Sequence, residues 1–91
     1  MINIGIIGTG FGAKIHIPGF KKVKGARVLG LASGSFKETE KVARTNKIPI
    51  VFKSWRKLVS SPKIDAVSIA VPPPLHAPIA LEAIQAGKHV F

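Results

Sequence analysis

A glycine cluster placed directly behind an apolar amino-terminal run constrains this chain more than any other feature. Ile2-Asn3-Ile4-Gly5-Ile6-Ile7 is short and rich in β-branched residues, and it stops at Gly8. Such a run is expected to form a strand buried on both faces, as in a parallel sheet. Gly8-Thr9-Gly10-Phe11-Gly12-Ala13 comes next, in the pattern G-x-G-x-x-A, and a helical stretch follows it. The pattern alone is weak; between a strand and a helix it reads as a dinucleotide-binding turn. Gly8 permits the tight exit from the strand, Gly10 lets a pyrophosphate approach the backbone, and Ala13 lets the helix pack near the sheet. The unpaired N–H groups at the helix start, with their partial positive charge, suit phosphate.

The rest of the chain alternates between strand and helix. Phe11 to about Val23 is expected as a helix, with Phe11, Ile15, Phe20 and Val23 on one face and a kink or late start at Pro18-Gly19. Arg27–Ala32 reads as the second strand. Ser35-Phe36-Lys37-Glu38 has the form of a capping box and opens a helix to about Asn46. Ile48–Phe52 reads as a third strand, and Pro49 places it towards an edge. Ser54 caps a short helix to Val59. Asp65–Val71 reads as a fourth strand, stopped by Pro72-Pro73-Pro74. Leu75–Ala86 reads as a helix ended by Gly87, and Lys88–Phe91 as the start of a fifth strand. The order βαβαβαβαβ predicts an α/β fold, a Rossmann-type doubly wound parallel sheet with right-handed crossovers, incomplete at the carboxy terminus.

Charge is the other unusual property. The 91 residues hold 14 Lys and Arg against 4 Asp and Glu, a formal net charge of +10. Thirteen of the cations fall between Lys14 and Lys63, where the only acids are Glu38 and Glu40. That bias favours polyanions, among them a phosphate-rich cofactor, nucleic acid or an acidic surface. Nucleic acid is disfavoured as a partner, because no helix-turn-helix spacing, zinc-ligand set or basic-aromatic stretch accompanies the charge. No cysteine is present, which excludes disulfides and thiolate chemistry. The longest uncharged run, Ala66–Leu81, is broken by four prolines, so no membrane span is expected. The amino terminus does not read as a secretory signal, and a cytoplasmic location is expected. His16, His76 and His89 share no metal-ligand spacing, so no metal site is assigned.

About twenty residues past the glycine turn, an acid is expected where a ribose carries a free 2′-hydroxyl. Ser33-Gly34-Ser35 stands there instead, with Lys37 close behind. Hydroxyls and a cation suit a 2′-phosphate, so NADP is preferred as cofactor and NAD is the second choice. His16 and His76 fall near the ligand-facing turns, but a lone histidine reads first as a packing or surface residue.

Two stretches together resemble one family. Asn3 to Ala13 with His16 and Pro18, and Val71-Pro72-Pro73-Pro74-Leu75-His76 running on to Ala86-Gly87-Lys88-His89-Val90, look like the amino-terminal part of the Gfo/Idh/MocA oxidoreductases. The resemblance covers nearly the whole chain. It implies a nicotinamide-dependent dehydrogenase or reductase acting on sugars, polyols or related carbonyl compounds. It also implies that residues 1–91 are the dinucleotide-binding domain. By the same resemblance Gly8, Thr9, Gly10, Phe11, Gly12 and Ala13 line the pyrophosphate. Ser33, Gly34, Ser35 and Lys37 face the adenosine ribose, and Val71, Pro72, Pro73 and His76 border the nicotinamide side.

Family members continue into a Glu-Lys-Pro motif and a substrate domain, and Phe91 stands just before that motif. No catalytic residue is therefore assigned, and the 91-residue chain is expected to bind coenzyme without turnover. A sugar-like substrate is expected only for a longer parent. An open sheet edge near Phe91 makes a homo-oligomer an expected state. The alternative readings are a basic nucleic-acid-binding module and a nucleotide sensor without a reaction.

Overall fold

The computed structural model describes the backbone of residues 1–91 and all side chains except those of Phe11 and Gly12. Five strands and four helices alternate: β1 (Ile2–Ile7), α1 (Phe11–Lys21), β2 (Ala26–Ala32), α2 (Phe36–Asn46), β3 (Ile50–Val51), α3 (Trp55–Ser60), β4 (Ala66–Ile69), a 3₁₀ turn (Pro73–Leu75), α4 (His76–Gln85) and β5 (His89–Val90). All strand pairings are parallel, in the order β3-β2-β1-β4-β5. This is the doubly wound arrangement expected from the sequence, with β3 on the edge where Pro49 placed it.

Each face of the sheet has its own layer. Ala13 and Ile17 of α1 and Ala43 of α2 pack with Ile4, Ile6, Val28 and Leu31 on one side. Leu58 and Val59 of α3 and Ile79 and Ala83 of α4 pack with Ile7, Leu29, Val67 and Ile69 on the other. β4 divides its side chains by size. Ala66 and Ala70 join the α1 layer, whereas Val67, Ile69 and Val71 join the α4 layer. Small residues on one face of a strand let the covering helix approach closely.

A β-bulge lies at the centre of the sheet, where the pairing passes from Ile4↔Val28 to Gly5↔Gly30 and leaves Leu29 as the extra residue. Leu29 and Gly30 are thereby turned to the same layer. A Cβ on Gly30 would lie 2.5 Å from Phe52 Cε2, and one on Gly5 would lie 2.6 Å from Leu58 Cδ2. These paired glycines are spaces occupied by neighbouring side chains.

The helix ends carry the cap residues expected, although at α2 only the serine half of the capping box forms, the Ser35 amide donating to the Ser33 hydroxyl. Ser35 accepts a hydrogen bond from the Glu38 amide and Ser54 from the Lys57 amide, capping α2 and α3. Lys47, at φ 57°, ends α2 in the left-handed conformation. Gly87, at φ 80°, turns the chain after α4.

One expectation needs correction. The buried stripe of α1 is Ala13 and Ile17 with Phe20 half-buried, while Ile15 and Val23 are exposed. Val23 lies past the helix end at Lys21, so it has no place in the helical period. Pro18 does not break α1. It lies on the solvent side with Lys14, whose carbonyl water can satisfy in place of the missing amide. Among the described residues, no helix is long and apolar enough to cross a membrane.

Gly30→Ala should cost roughly 1–3 kcal/mol in urea unfolding, because the added methyl must displace Phe52. Combining it with Phe52→Leu should recover part of the loss. Wild-type stability in the single variant would contradict the packing described at the bulge.

Candidate functional site

The sheet order sets the site. β1 is central: α1 leaves it towards one face, and the chain leaving its neighbour β4 leads to α4 on the other face. The exits are still joined by the Ala70 amide donating to the Ile7 carbonyl at 2.8 Å, and beyond that bond they diverge. A crevice opens at such a point, outside the carboxyl ends of the strands. It has a volume of about 440 Å³ and is lined by Gly10, His16, Ile69, Ala70, Val71, Pro72 and His76.

Gly8 makes the turn out of β1, against the Ala70 wall of this crevice. Its φ is +115°, and a Cβ there would lie 2.2 Å from the Ala70 carbonyl oxygen. The fold itself therefore demands glycine at this position. Gly10 differs. Its φ of −80° suits any residue, and a Cβ there would meet nothing within 4 Å. As the N-cap of α1 it makes no side-chain capping bond, although Ser, Asp or Asn would serve that role better. Nothing in the packing of the described residues requires a bare backbone here; a ligand lying against the helix start would.

The other site residues distribute as follows. Thr9 is half-buried and lines a groove of about 420 Å³ between α1 and α2, together with Lys14, Glu38 and Lys41. Ala13 is buried beneath α1 and acts by packing. Phe11 and Gly12, also assigned to the pyrophosphate, lie outside the residues whose side chains are described. Val71, Pro72 and His76 line the crevice, and Pro73 begins the exposed 3₁₀ turn beside it. His76 closes this loop on itself, its Nε2 lying 2.6 Å from the Val71 carbonyl oxygen.

The β2 side holds a surprise. Ser33 stands at the strand end as expected, but its hydroxyl is engaged within the chain. It accepts from the Ser35 amide and is hydrogen-bonded to the hydroxyl of Thr39, a fully buried side chain that donates to the Ser35 carbonyl at 2.8 Å. Ser33 thus builds the loop that aims α2. Gly34, Ser35 and Lys37 are exposed. Ser35 accepts the capping bond through its oxygen, and that bond does not use its hydroxyl hydrogen.

The strand exits that a dinucleotide would span are those of β2 and β4, on either side of the glycine turn, as in nicotinamide-binding Rossmann domains. The model of the oxidoreductase family with an NAD-binding Rossmann fold, Gfo/Idh/MocA, matches residues 2–91. The chain belongs to the Gfo/Idh/MocA family. An inositol 2-dehydrogenase/D-chiro-inositol 3-dehydrogenase of Shouchella clausii is 35% identical over 92 residues, covering 99% of this chain and 27% of that protein. Biliverdin reductase of Synechocystis sp. PCC 6803, solved with biliverdin and NADP+, superposes with a TM-score of 0.89 at 36% identity, over 98% of this chain and 28% of that one. Scyllo-inositol dehydrogenase of Lactobacillus casei, solved with NAD(H) and scyllo-inositol, gives 0.90 at 33%, over 100% and 27%. The chain spans about a quarter of the length of the curated relatives it matches. It corresponds to the NAD-binding domain of this Gfo/Idh/MocA family.

The two glycines should separate experimentally. Gly8→Ala should destabilise the fold by roughly 2 kcal/mol or more, from backbone strain plus the clash with Ala70. Gly10→Ala should cost at most about 1 kcal/mol, the size of a capping difference. Thermal or urea unfolding of the pair measures this, and equal losses would contradict the distinction.

Proposed function

We propose that the chain is the coenzyme-binding unit of an oxidoreductase acting on sugars, polyols or related carbonyl compounds, with NADP preferred to NAD. Residues 1–91 are in this reading the dinucleotide-binding domain. The observation that carries it is the bare backbone at Gly10, at the start of an 11-residue helix and on the lip of the crevice. A pyrophosphate against this turn would receive the N–H groups of the helix start. One mononucleotide half would then lie over the end of β2 and the other over the end of β4. An acid that reads the adenosine ribose stands at the end of β2 in NAD-binding members of this fold class, so the adenosine falls on the Ser33–Lys37 side. The nicotinamide half falls on the Val71–His76 side.

The preference for NADP rests on what the β2 loop presents. The residues Ser33, Gly34 and Ser35 include no carboxylate, the Ser35 hydroxyl has a hydrogen to donate, Lys37 is exposed close behind them, and Lys14 and Lys41 stand with Glu38 in the adjoining groove. A charge-assisted hydrogen bond to a 2′-phosphate is stronger than a neutral one. The net charge of +10 also favours encounter with an anionic coenzyme. When bound, the nicotinamide ring would accept or donate a hydride. The chain's own part is to hold the phosphates, select the ribose and shape the wall beside the ring. The sugar-like substrate is inferred from relatives such as the inositol dehydrogenases.

Titration with NADPH and NADH, read by coenzyme fluorescence, tests this. NADPH should bind more tightly, and Lys37→Glu should erase or invert the difference. Gly10→Ala should weaken both coenzymes by about tenfold or more, roughly 1.4 kcal/mol. Tighter binding of NADH would overturn the ribose assignment, and unchanged binding by Gly10→Ala would overturn the phosphate site. The 91-residue chain should show no turnover with sugars or polyols; turnover would contradict the role given to it.

A further inference from the structure

A polar pair that the proposed phosphate and ribose contacts do not use joins one lining residue of the crevice, His16, to the buried Ser68 beneath it. Ser68 is fully buried in the middle of β4, paired in register with Ile6 of β1. Together with Thr39 it makes up the buried polar side chains among the described residues. It shares the α1 face of β4 with Ala66 and Ala70, where a third alanine would pack without leaving a polar group to satisfy. Its hydroxyl instead meets Nδ1 of His16, 2.6 Å away, across the gap between strand and helix. The imidazole is also edge-on to Phe20, with ring centroids 6.3 Å apart and an interplanar angle of 89°. His16 is half-buried, and it lines the crevice together with Val71 and Pro72.

A histidine held by a buried hydroxyl on one side and an aromatic ring on another has few orientations left. Its ring belongs to α1, one turn beyond the glycine cluster, while its partner belongs to the strand whose exit forms the far wall. The bond therefore fixes the helix carrying the phosphate turn against the strand carrying the nicotinamide side, directly below the opening. We infer that His16, oriented by Ser68, is a positioning residue for the nicotinamide half of the coenzyme. This rests on the coenzyme reading above. Loss of the pair should let the β4-side wall relax while the β2 loop, held by its own Ser33–Thr39 hydrogen bonds, keeps its shape.

Ligands that share one half of the coenzyme test this with the 91-residue chain. ADP-ribose 2′-phosphate has the adenosine, the 2′-phosphate and the pyrophosphate but no nicotinamide. In Ser68→Ala, His16→Gln and His16→Phe its affinity should stay within about twofold of wild type, while NADPH weakens by about fivefold or more, the effect of one lost hydrogen bond. The emission of bound NADPH should also shift towards that of the free coenzyme, since it reports the surroundings of the nicotinamide ring. His16→Phe keeps the ring packing and loses the nitrogen, so it should behave like the other two. Should Ser68→Ala not fold, the His16 variants, at a half-buried position, carry the comparison. Equal weakening of both ligands would reduce the pair to a general tether and overturn the inference, as would unchanged NADPH binding and emission. Failure of the wild-type chain to bind either ligand would overturn the coenzyme reading itself.

Discussion

The contact between Gly8 and the Ala70 carbonyl is the point on which the architecture turns. Two parallel strands lie side by side at the centre of a sheet and must release their chains to opposite faces. The turn leaving β1 has to pass so close to the end of β4 that no side chain fits, and it does so in a backbone conformation that L-residues rarely adopt. That single requirement places the start of α1 beside the exit of β4. The crevice follows from it, and so does the alignment of a helix start with the opening.

Around this point the packing is asymmetric in a way that serves the site. The α1 face of β4 is built from Ala66, Ser68 and Ala70, and the opposite face from larger aliphatic residues. The helix that would receive phosphate therefore lies close to the strand, and the remaining gap is filled by His16 rather than by a methyl group. On the β2 side a comparable polar cluster of Ser33, Ser35 and Thr39 shapes the loop. The crevice beside β4 and the loop after β2 are thus set by two separate hydrogen-bonded groups, one on each side of the glycine turn.

Much of the fold was legible because local and global signals agreed. The apolar β1 run, the Ser35 and Ser54 caps, Gly87 and the edge-marking Pro49 all do in the structure what their residue types suggest. The buried face of α1 was misread because Ile15 and Val23 are larger and more apolar than Ala13, yet the space under the helix admits only the small residue there. Gly5 and Gly30 gave no sign of their role, since a bulge and the side chains it accommodates are long-range facts. The loop-building role of Ser33 was hidden for the same reason. Its position relative to the turn matches the ribose pattern, while its partner Thr39 lies one helical turn on and shows its burial only once α2 is docked. The His16–Ser68 bond joins residues 52 apart in sequence, which no local pattern reveals.

The charge fits the same picture. Fourteen basic side chains form a single ion pair among the described residues, Arg56 with Glu82. Apart from Lys88, whose half-buried ammonium donates to the Ser61 and Ile64 carbonyls, the surplus is exposed and raises the local concentration of anions. Recognition of the diphosphate must come from the turn. Amide chemical shifts followed during titration with NADPH test that most directly. The largest changes are expected at Thr9, Gly10 and Ala13, followed by Gly34–Lys37 on one side and Val71, Leu75 and His76 on the other, with the outer surfaces of α3 and α4 unmoved. Changes spread over the lysine-rich surfaces, with the amides around Gly10 unaffected, would contradict the claim that bare main chain at the exit of β1 is what the coenzyme recognises.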